Sequence, residues 1–234
     1  MFRIFKIIVL IVLLGAAGFF LYREIAKPEQ TDDVEAMKQS LIAPAVVRDG
    51  SLSAELKDKY QAELKKAQDQ TASFNFDNLQ SINSIAQYKK LLGDIDGAIV
   101  AWEYANRIRP QNSLSFSNLA ALYHFDLKQY DLAEKNYLIS IGNDPDDMNT
   151  IRNLFEMYFY ALKDNGKAEA LLLQAIEENK ENPTVLVDLY GLSGSFYVDT
   201  GNNQKALQYY RKALGLNPQN EAVRQEVARL ETLQ

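Results

Sequence analysis

The chain has 234 residues, no cysteine and a single histidine, His124, which excludes disulfides, thiolate metal sites and a cysteine nucleophile and nearly empties the options for zinc or histidine catalysis. Acidic side chains number 31 against 25 basic ones, and residues 1–27 hold four of the basic and one of the acidic. The remainder is therefore an acidic body that repels phosphate backbones, so nucleic acid is not an expected partner.

An uncharged apolar run, Ile7 to Tyr22, lies between Arg3 and Lys6 on one side and Arg23 on the other. As a helix it spans roughly 24 Å, a little short of the ~30 Å hydrocarbon layer. Ile4, Phe5 and a snorkelling Lys6 supply the difference, and Phe19, Phe20 and Tyr22 fall where an interfacial aromatic belt belongs. Residues 1–27 thus read as an N-terminal transmembrane anchor. A cleaved signal peptide is the competing reading, because Gly15, Ala16 and Ala17 supply small residues for cleavage. Against it, Gly18 to Tyr22 carry the apolar run past that point. Arg3 and Lys6 with the terminal amine outweigh Arg23 and Lys27 slightly, which puts the N-terminus in the cytoplasm and the large domain outside it.

Residues 28–52 are polar and broken by Pro28, Pro44 and Gly50, with Asp32 and Asp33 adding charge; they read as a linker. Residues 53–78 hold an approach helix, Ala54 to Gln70, capped by Ser53 and carrying a narrow apolar stripe of Leu56, Tyr60, Leu64 and Ala67. That stripe covers the exposed side of whatever follows, or joins copies of the chain.

From residue 79 to 220 one pattern returns four times. The last copy shows it best: Tyr190, Gly194 and Tyr197 in a first helix, Gly201 at a turn, then Ala206, Tyr210 and Ala213 in a second helix stopped by Pro218. Seven residues are nearly two turns, so Ala206 and Ala213 share a face with Tyr210 between them, and the small residues let another helix approach. The same landmarks appear as Gly93, Ala98, Trp102, Ala105 and Pro110, as Tyr130, Ala133, Tyr137, Ser140 and Pro145, and more loosely as Ala168, Leu172, Ala175 and Pro183. Copies two and three carry one extra residue in the turn between helices, around Phe125 to Lys128 and Tyr160 to Asp164. Copy three has Phe155 at a normally small position, and its second helix reads as about one turn longer before Pro183. Residues 221–234 form a capping helix with Val223, Val227 and Leu230 inward and Arg224 and Arg229 outward.

These landmarks resemble the tetratricopeptide repeat, a helix-turn-helix unit. The resemblance implies an all-α helical solenoid of about four such repeats plus the capping helix, joined to the single transmembrane helix. It also implies that the first helices line a concave groove for a protein or peptide. On that reading Asn83, Gln87, Asn118, Leu122, Asn153, Met157 and Tyr160 line the groove, and Asn83, Asn118 and Asn153, each 35 residues apart, form an amide ladder along a bound backbone. Gly191 ends that ladder in copy four, and the register of Asn83 is open because its copy lacks the extra turn residue. Family members that grip a C-terminal carboxylate do so with lysine and arginine, which these places lack.

No cofactor and no metal is expected. Asp94 to Gly97 looks like half a calcium loop without its distant glutamate, and falls at an inter-helix turn. Asn143 to Asp147 reads as helix capping, and His124 has no partner ligand. The sequence-level conclusion is a non-enzymatic, membrane-tethered scaffold that binds a protein or peptide, with a self-assembling structural protein, joined through the approach helix or the solenoid ends, as the alternative.

Overall fold

The structure, a computed structural model, describes residues 31–48, 50 and 52–233. The expected anchor over residues 1–27 lies outside them. Among the described residues every regular element is helical, and no helix is long and apolar enough to cross a membrane. The chain divides into two compact units, one ending at Tyr104 and one beginning at Ala105.

The first unit holds α1 (Thr31–Ile42), α2 (Ala54–Ser73), α3 (Leu79–Leu91) and most of α4 (Ile95–Ile108). The stretch expected to be a linker carries α1, whose Leu41 is fully buried. Gln68 of α2 explains why: its side-chain amide donates to the carbonyls of Leu41 at 2.9 Å and Ala43 at 2.8 Å, two acceptors that α1 leaves open at its end. The chain then runs on without regular structure, and the Arg48 N–H donates to the Leu92 carbonyl at 3.1 Å. Ser53 caps α2 as expected, accepting from the Leu56 N–H. The stripe on α2 is only half used: Leu64 and Ala67 are buried with Gln68 and Thr71, whereas Leu56 stays 40 % exposed.

Between α3 and α4 the backbone turns through Gly93 at φ 81°. Asp94 then accepts from the Gly97 N–H and from the ammonium of Lys89 at 3.0 Å. Both side chains of that ion pair are buried, so the aspartate of the calcium-like stretch serves a cap and a lysine. Gly97 is required there, since a β-carbon would run into the Asp94 carboxylate.

The second unit contains α5 (Ser113–Ala121), α6 (Tyr130–Asn143), α7 (Met148–Glu156), α8 (Asn165–Glu178), α9 (Pro183–Asp199), α10 (Asn203–Leu216) and α11 (Glu221–Glu231). From α5 onward each helix packs on the next in sequence. Ala133, Ala168, Ala206 and Ala213 are buried to within 2 % of completely, and Tyr137, Leu172 and Tyr210 fill the space between them. Gly194 answers to Tyr210: a β-carbon at 194 would overlap the edge of the tyrosine ring, so the second helix can nest only against glycine. On α11, Val223 and Leu230 are buried while Arg224 and Arg229 are exposed.

The repeat is more regular than its alanines suggest. A left-handed residue stands five positions before each landmark alanine: Gly93, Lys128, Lys163 and Gly201. Nineteen residues after it comes the asparagine or aspartate that caps the following helix: Asn112, Asp147, Asn182 and Asn220. Second helices are therefore of one length; α4, α6, α8 and α10 each have 14 residues. This corrects two expectations. The second helix of copy three is not longer, and Pro183 does not stop it: Asn182 caps α9 and Pro183 opens that helix at its first turn, where a missing N–H costs nothing. The additional turn lies in α9, with 17 residues against 13 in α3.

The extra residues of copies two and three become π-helical turns, Leu122–Leu127 after α5 and Met157–Ala161 after α7. There the Lys128 N–H donates to the Tyr123 carbonyl and the Leu162 N–H to the Met157 carbonyl, each spanning five residues. A π turn absorbs one residue without unwinding the helix.

Candidate interaction face of the first helices

A π turn inside a helix shifts the register of everything before it by one residue, or about 100° of rotation. Counting back from the landmark alanines crosses that shift; counting forward from the capping residues does not. Counted forward from Asn78, Asn112 and Asp147, the position of Asn83 in α3 is held by Ser117 in α5 and Arg152 in α7, and the position of Gln87 by Ala121 and Glu156. For α9, Tyr197 bonds Glu169 just as Tyr158 bonds Glu134, which aligns Gly191 with Arg152, Ser195 with Glu156 and Asp199 with Tyr160. The hydrogen bond from the Tyr160 hydroxyl to Asp199 at 3.5 Å joins the last of these pairs in space.

This register corrects the expected groove. Leu122 and Met157 are fully buried; they belong to the core and line no open face. Asn118 and Asn153 share one position of their helices and are half-buried, whereas Asn83, in the first unit, stands one position earlier in its own helix. Asn83 donates to the Leu79 carbonyl of its own helix at 3.0 Å, and its Oδ1 is buried without a hydrogen-bond partner. Gln87 is exposed, in the first unit with Asn83. Tyr160 is 54 % exposed, and Phe125, at the equivalent place after α5, is 46 % exposed. The residues missed are Ser117, Ala121, Arg152, Glu156, Gly191 and Ser195. The capping pattern, asparagine or aspartate two residues after Pro110, Pro145 and Pro218, carries the signal that finds them.

In the second unit the outward lane on α7 and α9 has a definite chemistry. Arg152 is exposed, and among the described residues nothing hydrogen-bonds or ion-pairs with its guanidinium, Glu156 one turn on included. Gly191 leaves open space, since an added β-carbon meets nothing within 4 Å. The hydroxyl groups along the lane are already engaged: Ser117 donates to the Leu114 carbonyl at 3.0 Å, and Ser195 contacts the Gly191 carbonyl and the Tyr210 hydroxyl at 3.2 and 3.1 Å. Aromatic side chains pack on one another at the ends of α5 and α7. Phe125 stacks on His124 at 4.0 Å, and Phe159 stands edge-on to Tyr160 at 4.8 Å. His124 is itself buried, with Nδ1 3.3 Å from the Tyr137 hydroxyl. Burial, and after it the charge of Lys128, lowers its pKa.

Among the described residues no cluster of three His, Asp or Glu side chains is poised to hold a metal ion. The arrangement offers a cation, an open slot and aromatic surface, which suit binding an extended chain.

Residues 187–220 match the tetratricopeptide repeat family; the match starts after the additional first turn of α9. No curated protein matches the chain. Among solved structures it is similar to two crystal structures of MamA. One is 22 % identical, with 65 % of this chain and 80 % of that chain covered and a TM-score of 0.47. The other is 16 % identical, with 71 % and 97 % covered and a TM-score of 0.48.

Proposed function

We propose that this chain is a non-enzymatic scaffold that holds an extended segment of another protein on the outward lane of α7 and α9, while residues 1–27 tether it to a membrane with the helical domain outside the cytoplasm. The observation that carries the binding reading is the unfilled lane itself. Arg152 and Gly191 leave charge and space unused in a unit whose other surface cations largely pair, as Lys167, Lys205, Arg211 and Arg229 do. A tether raises the local concentration of a weak site, so modest contacts suffice.

A photoreactive residue placed at Ser195 in the full chain tests the binding reading. Crosslinks to one protein from position 195 and none from Leu173, on the exposed side of α8, are expected; identical products from both positions would refute it. Alkaline extraction of membranes tests the tether: the full chain stays with the membrane, and release into the wash would refute anchoring.

A further inference from the structure

Resting on that reading, we infer that the segment bound carries an internal acidic side chain, which pairs with Arg152 in the space over Gly191, with an apolar side chain beside it on the Phe125–Tyr160 edge. Arg152 presents a planar fork of donors that matches a carboxylate with two parallel hydrogen bonds. Among the described residues no side chain uses that fork. Its i+4 neighbour Glu156 forms no ion pair with it.

Size decides where the ligand runs. Gly191 on the neighbouring α9 is open, with nothing within 4 Å of the place a β-carbon would take, and Ser117, at the same position of α5, is also a small residue. A chain can therefore pass across Arg152 in both directions, which favours an acidic residue within a segment over a terminal carboxylate. Charge sets the neighbours: Asp188 and Asp199 on α9 are exposed, so a second acidic residue on that side is repelled and a basic one is attracted. Exposed Phe125 and Tyr160 offer the ring faces that His124 and Lys163 leave uncovered to an aliphatic or aromatic side chain.

The test uses the full chain in detergent micelles and two libraries of dodecapeptides acetylated at the N-terminus, one amidated at the C-terminus, so that every carboxylate is a side chain, and one left as the free acid. Wild type, Arg152→Glu and Gly191→Leu are compared after circular dichroism shows equal helicity. Both positions are exposed or open, so the core is untouched. The expected result is enrichment of peptides with one Asp or Glu next to an apolar residue. Their binding should weaken about tenfold or more in Arg152→Glu, where charge repels charge, and be lost in Gly191→Leu. Bound peptides without acidic enrichment, or indifferent to Arg152→Glu, overturn the inference, and leave the lane as a binding face if Gly191→Leu still blocks them. Binding by uncapped free-acid peptides alone also overturns it, in favour of a terminal carboxylate. Failure of every peptide to bind, or binding indifferent to Gly191→Leu, overturns both the inference and the binding reading beneath it.

Discussion

The hydroxyl of Tyr197 donates to Oε1 of Glu169 at 2.6 Å, and the ammonium of Lys205 stands 2.9 Å from the same oxygen and 4.7 Å from the tyrosine ring centre. One repeat earlier Tyr158, Glu134 and Lys167 make the same arrangement, at 2.8 Å, 2.7 Å and 5.2 Å. Each brace ties a first helix and its following second helix to the second helix before them. One repeat earlier still in the sequence, the corresponding carboxylate and lysine places hold Ile99 and Leu132. Tyr197→Phe removes a hydrogen bond to a charged acceptor and should cost about 1–2 kcal/mol. Urea denaturation reads this as a lower midpoint; an unchanged midpoint would mean that water replaces the phenol without loss.

The same brace makes stability depend on pH at both ends. The Tyr197 hydrogen bond, then that of Lys205, holds the Glu169 carboxyl below its ordinary value. Its contribution is therefore present above the unfolded glutamate pKa of about 4.3 and is lost as pH falls through the lower folded value. Burial, then the bond to Glu169, pushes Tyr197 up to about 12. That contribution is complete below the unfolded tyrosine pKa of about 10 and disappears as pH rises through the folded value. Melting temperature against pH should show both limbs, and Tyr197→Phe should flatten both; limbs unchanged in the variant would assign them to other groups.

Gly191 and Gly194 lie three residues apart on α9 and should respond oppositely to alanine. At 194 the new methyl group would meet the Tyr210 ring, and overpacking should cost about 1–3 kcal/mol. At 191 the space is open, and replacing a helical glycine should gain about 0.5–1 kcal/mol. Thermal melts of the two single variants decide this, and equal shifts would contradict the packing described.

Leu122 and Met157 separate a core role from a binding role. Both are fully buried, so truncation to alanine should cost about 2–5 kcal/mol. At temperatures where each variant remains folded, peptide capture by the lane should stay as in wild type. A variant of full stability with lost binding would return these residues to the interaction face.

Burial of His124 gives an acid-sensitive core position. Its neutral form is favoured in the folded chain, so stability is present above the unfolded histidine pKa of about 6.5 and is lost as pH falls toward the lower folded value. An NMR titration of the imidazole should find its midpoint below that of a free histidine; a midpoint at or above it would mean that the ring opens to solvent.

Helices, their order and their nesting follow from local rules that the sequence displays by itself. Small residues at seven-residue spacing allow close approach, capping side chains satisfy the first free N–H groups, and left-handed turn residues end each first helix. Those signals involve neighbours a few residues apart, so Ala206, Tyr210, Ala213 and the Ser53 cap are legible from the chain alone. Rotation is not. Whether the additional residue near Phe125 or Tyr160 lengthens a loop or enters the helix depends on how α5 and α7 are held by the helices packed on them. Tertiary packing placed it inside, as a π turn, because Tyr123 and Tyr158 must stay buried while the chain still reaches the next cap. That one choice turned Leu122 and Met157 into the core and left Arg152 facing outward. The docking of residues 31–48 was hidden for a related reason: Gln68 holds them through backbone carbonyls, which every residue carries and no side-chain pattern announces.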